Sequence, residues 1–119
     1  MFLRSVLTSA VLLSATPALA AECETITLDG DITTIEGEAP ADGTLCYRFE
    51  TLTTHNLSIE VTRGKNTAVS VPGYYDARSD RMFMAGLPET LEISVFQVMR
   101  AAEPEPFSVL IRLEAPGNG

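Results

Sequence analysis

The sequence has no tryptophan, one histidine and two cysteines, and its 8 basic residues face 16 acidic ones for a net charge of −8. Each shortage excludes something. Beyond Arg4 near the start, the basic side chains are scattered (Arg48, Arg63, Lys65, Arg78, Arg81, Arg100 and Arg112). A phosphate backbone is therefore electrostatically opposed, and no nucleic-acid partner is expected. The field instead favours a cationic partner. No tryptophan is present to stack against a sugar ring. The carboxylate pairs Asp29/Asp31, Asp76/Asp80 and Glu103/Glu105 thus read as solubilising surface charge rather than as glycosidase pairs. His55 stands in Thr53-Thr54-His55-Asn56, a predicted turn, and no Gly-x-Ser-x-Gly elbow accompanies it. Two cysteines and one histidine do not complete a closed zinc site. Asp29-Gly30-Asp31 lacks the rest of a calcium loop and reads as a hairpin turn. No catalytic residue, metal or cofactor is expected.

Long hydrophobic runs are absent beyond the opening segment, so no membrane span is expected. That segment is itself informative. Met1-Phe2-Leu3-Arg4 is a short cationic start, Ser5 to Ser14 is apolar, and Ala18-Leu19-Ala20 closes it with an A-x-A cleavage signal. This pattern predicts a secretory signal peptide over 1–20 and a single domain over 21–119. Loss of Arg4 moves the net charge from −8 to about −9, and a domain of about 100 residues buries roughly 60–65% of its extended-chain surface. In an oxidising compartment Cys23 and Cys46 predict one disulfide, closing a loop worth roughly 3 kcal/mol in chain-entropy terms. Glu22, directly before Cys23, argues against a lipid-anchoring cysteine.

What fills the rest of the chain is alternation. Thr25–Leu28, Asp31–Glu38, Leu45/Tyr47/Phe49, Leu57/Ile59/Val61, Thr67–Val71, Arg81–Ala85, Leu91/Ile93/Val95 and Phe107/Val109/Ile111/Leu113 each read as a short strand. Glycine, proline, asparagine and aspartate separate them. After Val95 the apolar positions change phase to Phe96 and Val98, which suggests a bulge or a strand buried on both faces. About eight evenly spaced strands with no helical period predict an all-β fold, a small jelly-roll-like β-sandwich.

Two polar loops carry interface chemistry. Pro72-Gly73-Tyr74-Tyr75-Asp76-Ala77-Arg78-Ser79-Asp80 sets two tyrosines among Asp76, Arg78 and Asp80. It is either a partner surface rich in hot-spot residue types or an edge cap with solvating charges. Met99-Arg100-Ala101-Ala102-Glu103-Pro104-Glu105-Pro106 is stiffened by proline. It either presents Arg100 and Glu103 or uses Arg100 to hold loop carbonyls.

Tyr47-Arg48-Phe49-Glu50-Thr51 with Leu57-Ser58-Ile59-Glu60-Val61 resembles the paired strands of bacterial pre-peptidase C-terminal-like sandwiches and of periplasmic inhibitors of goose-type lysozyme. Leu91–Val95, Met99-Arg100-Ala101-Ala102 and Phe107–Ile111 resemble their closing hairpin. The resemblance runs from Tyr47 to Leu113. It departs at Thr53-Thr54-His55, at the acidic Glu103-Pro104-Glu105-Pro106 and at Phe107, and no inhibitory motif transfers residue by residue. It implies a sandwich that is exported to the periplasm or secreted and binds a protein without catalysis. The partner implied is a cationic cell-wall hydrolase of the goose-type lysozyme class. The alternative it implies is an accessory sandwich within an exported complex.

Intact mass of the exported protein is expected to place the N-terminus at Ala21 and to be lower by the two hydrogens of one disulfide. Free thiols in that material would contradict the pairing.

Overall fold

The computed structural model describes residues 22–72, the backbone of 75–77, and residues 81–115. Nine strands lie among them: β1 (Cys23–Thr25), β2 (Ile32–Ala39), β3 (Thr44–Glu50), β4 (Asn56–Arg63), β5 (Thr67–Val71), β6 (Tyr75–Ala77), β7 (Met82–Met84), β8 (Thr90–Gln97) and β9 (Glu105–Glu114). One sheet has the order β1-β3-β8-β5-β6 and the other β2-β9-β4-β7. The fold class read from alternation is therefore the observed one. No helix among the described residues is long and apolar enough to cross a membrane.

The core follows from the period-two pattern, because alternate side chains of a strand point to the same face. Phe107, Val109, Ile111 and Leu113 of β9 are buried, with Leu57, Ile59 and Val61 of β4 beside them. Tyr47 and Phe49 of β3, Leu91, Ile93 and Val95 of β8, and Val69 and Val71 of β5 form the facing layer. Gly37 is opposite Phe107 in the β2–β9 ladder. A Cβ there would stand 3.3 Å from the Phe107 ring and 3.5 Å from the Tyr47 hydroxyl. The missing side chain lets the two aromatic rings approach the strand.

The disulfide is present. Cys23 and Cys46 are direct register partners in the parallel β1–β3 pair, with Cα atoms 4.4 Å apart. It fastens a three-residue edge strand whose few hydrogen bonds would not hold it alone. Cys23, Cys46 and Glu92 cluster closely enough to suggest metal ligands, but sulfurs joined in a disulfide are not thiolate donors.

Several local expectations are corrected. The ninth strand is β6, which lies inside the segment read as the Pro72–Asp80 loop: the Tyr75–Ala77 backbone pairs antiparallel with Val69–Val71. Asp29-Gly30-Asp31 is not a hairpin turn, because β1 and β2 belong to different sheets; it is a link between layers, with Gly30 at φ 69°. β1 ends at Thr25, three residues short of Leu28, although Ile26 N–H still donates to Arg48 O at 2.9 Å. The phase change after Val95 is neither a bulge nor a doubly buried strand. β8 stays in regular register with β3 through Phe96, then ends at Gln97, and Val98 is exposed. The bulge lies instead in β4, between Val61 and Arg63 against β9.

Tyr47 links this packing to pH. Burial, and secondarily the nearby negative charge of Glu24, raise its phenol above the ordinary value of about 10. As pH climbs past that value the unfolded tyrosine ionises first, so the unfolded state binds fewer protons and stability falls. Urea unfolding at several alkaline pH values is expected to show this decline, and Tyr47→Phe is expected to flatten it. An equally steep decline in the variant would assign it to other groups.

Candidate partner-binding end of the sandwich

The strand registers sort the loops into two ends. Ala39 pairs with Glu105, Thr44 with Phe96, Thr67 with Gln97, and Arg63 with Ser108. The β2–β3, β4–β5 and β8–β9 connections therefore gather at one end. Glu50 pairs with Thr90, Asn56 with Glu114 and Val71 with Tyr75, so the β3–β4 connection and the exit from β5 are at the other. The two candidate loops thus leave opposite ends of the β5–β8 region and do not converge at these points. Tyr74, Arg78 and Asp80 lie outside the described residues, and Tyr75 and Asp76 are placed by backbone only.

At the first end, the β8–β9 loop carries Met99, 69% exposed, followed by the exposed Arg100. Glu103 is exposed on the same loop. Asp42 and Gly43 of the β2–β3 connection face Met99 and Arg100 across an open cleft of about 410 Å³. This end thus presents one flexible apolar side chain with charges of both signs around it. The loop is tied down from below. Asn66 Oδ1 accepts from the Met99 N–H at 3.0 Å, and Asn66 Nδ2 donates to Met99 O and to Gln97 Oε1, each at 2.8 Å. Gln97 Nε2 donates to Glu103 O at 2.9 Å and to Ala39 O at 3.2 Å. The loop carbonyls of Met99 and Glu103 are thus held by side-chain amides.

The reading of Glu103/Glu105 as a solubilising pair holds only for half of it. Glu105 opens β9, and its carboxylate accepts from Asn66 N–H at 3.0 Å and from the buried Thr67 hydroxyl at 2.7 Å. The β4–β5 turn that supplies these donors depends on Gly64. Its φ is +110°, and a Cβ there would come within 2.6 Å of Thr67 Oγ1. Sequence inspection missed Asn66, Gln97 and Glu105 as a set. The legible signal was the turn Gly64-Lys65-Asn66; which loop it supports depends on the β5–β8 register.

The opposite end holds a larger cleft, about 670 Å³, between the Thr25–Asp31 link and the β3–β4 turn. Ile26, Leu28, Leu52 and Leu113 supply apolar wall, and His55, Arg48 and Glu50 stand at it. His55 is half-buried, with Nδ1 3.1 Å from Thr54 Oγ1. Arg48 is already paired with Glu92 at 2.6 Å. Thr51 Oγ1 donates to the Pro88 carbonyl. Arg48, Thr51 and His55 are thus engaged with neighbouring protein groups and do not form a nucleophile–base–orienter set.

The β8–β9 end is thus an exposed loop held by side-chain hydrogen bonds from beneath. The fold has known counterparts. The chain is similar to the crystal structure of Aeromonas hydrophila PliG, a periplasmic lysozyme inhibitor of g-type lysozyme, with a TM-score of 0.58 and 17% identity over 80% of this chain and 100% of that one. It is similar also to Salmonella Typhimurium PliG, of the same description, with a TM-score of 0.60 and 12% identity over 78% of this chain and 100% of that one. At these identities the likeness is one of fold. No protein-family model and no curated protein sequence matches the chain. The inhibitor side of the resemblance thus has structural neighbours, and the pre-peptidase side has none among these findings.

Glu105→Ala is expected to cost about 1.5–3 kcal/mol, as loss of a charged acceptor for two donors does. Glu103→Ala is expected to stay within about 0.5 kcal/mol. Urea midpoints of the two variants measure the contrast, and equal shifts would refute the distinction between them.

Proposed function

We propose that this is an exported, periplasmic, non-catalytic domain, cleaved after Ala20, that binds and inhibits a goose-type lysozyme. The observation that carries the reading is the tied-down β8–β9 loop, set on a sandwich that spans the full length of two lysozyme-inhibitor structures. An enzyme cleft is best blocked by a pre-ordered element, because ordering a loop on binding subtracts from affinity. Met99 and Arg100 form that element, and Glu103 and Asp42 are at its rim. The acidic balance of the chain adds long-range attraction to a cationic hydrolase and mainly speeds encounter. Tyr74, Tyr75, Asp76, Arg78 and Asp80 remain a second candidate set, suggested by their residue types.

Inhibition of goose-type lysozyme on peptidoglycan, measured against the oxidised exported protein, tests the reading. Inhibition is expected at low salt and is expected to weaken as salt rises, since charges are screened within about 8–10 Å. Arg100→Ala is expected to cost at least about 2 kcal/mol of binding, the size of a hot-spot truncation. Replacing Tyr74 and Tyr75 together by Ala reads the second surface, and a comparable loss there would extend the contact to it. No inhibition of any goose-type lysozyme at low salt would refute the function.

A further inference from the structure

The hydrogen bonds beneath the β8–β9 loop converge on one element. Asn66 binds both the N–H and the carbonyl of Met99 through its side-chain amide, in the way a peptide group of a neighbouring strand would. Its backbone carbonyl accepts from Val98 N–H at 2.7 Å. Gln97, joined to Asn66 amide to amide, extends the hold to Ala39 O, Pro40 O and Glu103 O. Two side chains therefore connect the β2–β3 connection, the β4–β5 turn and both flanks of the β8–β9 loop. One of these acceptors belongs to the core, since Ala39 is fully buried. Those on Met99 and Glu103 are backbone groups of exposed residues, and Arg100 between them is exposed too. The neutral amide network thus fixes the backbone from which these exposed side chains project.

We propose that Asn66 and Gln97 are positioning residues for the partner contact: they hold the Met99–Arg100 tip in its bound conformation before the partner arrives. This rests on the lysozyme-inhibitor reading of the same loop. Binding strength then depends on the two amides through the fraction of molecules whose tip is competent, since apparent affinity falls in proportion to that fraction. It does not depend on them through charge, because both are neutral.

The test uses Asn66→Ala and the near-isosteric Gln97→Met in the exported, oxidised protein, with two independent readouts. Amide hydrogen exchange needs no partner. Exchange at Val98 and Met99 is expected to accelerate at least about tenfold in Asn66→Ala, while Ile93 and Val95 in the β3–β8 ladder keep wild-type rates. Lysozyme inhibition by the same variants is expected to weaken about tenfold with an unchanged salt dependence. Arg100→Ala, by contrast, alters the salt dependence. If Asn66→Ala fails to fold, Gln97→Met carries both measurements. Unchanged exchange at Val98 and Met99 overturns the clamp. Faster exchange with undiminished inhibition overturns the positioning role and leaves the inhibitor function standing. A wild-type protein that inhibits no goose-type lysozyme removes that function and the positioning role with it, while its exchange rates still report whether the clamp exists.

Discussion

The burial of β9 against the opposite sheet is the constraint on which the rest depends. β9 pairs along its length with β2 on one side and β4 on the other. Its four inward side chains, Phe107, Val109, Ile111 and Leu113, lie in the core with Ile93 and Val95 of β8. A shift of one residue would turn all four to solvent, so the apolar alternation sets the register strongly. Once it is set, the loop joining β8 to β9 has both ends anchored in different sheets. It must cross the end of the sandwich, which is where Met99 and Arg100 are presented.

The end of the sandwich illustrates how a polar network is made affordable in a small domain. Thr67 is 2% exposed, and its hydroxyl is matched by Glu105, whose carboxylate also receives the Asn66 N–H. These two donors therefore have an acceptor, which avoids the desolvation cost of leaving them unpaired. Gly64 keeps the space in which Thr67 packs. The same turn that closes β4 onto β5 then carries the side chain that grips Met99. Stability and presentation are coupled there through shared residues.

The other end is built differently. Its cleft is walled by Ile26, Leu28, Leu52 and Leu113, and Arg48, Thr51 and His55 there have neighbouring protein partners. The exposed Arg48–Glu92 pair sits on the outer face of the five-stranded sheet, where an ion pair contributes little to stability. The disulfide matters more: it closes β1 onto β3 at a register position where an edge strand of three residues has few bonds of its own.

Alternation by itself determined the all-β architecture and the inward residues of most strands, and the even cysteine count pointed to the pair. These depend on local period and on burial of one face, which neighbouring residues carry. Only the tertiary structure decided the parallel placement of β1, the strand at Tyr75–Ala77, the sheet-to-sheet path of Asp29–Asp31 and the end of β8 at Gln97. It alone separated Glu105, a structural acceptor, from Glu103, a solvated charge. It alone joined Asn66 to Gln97 and Met99, residues 31 and 33 apart in the chain. Those contacts exist because strand register sets distant turns side by side, and no local pattern encodes which polar groups meet.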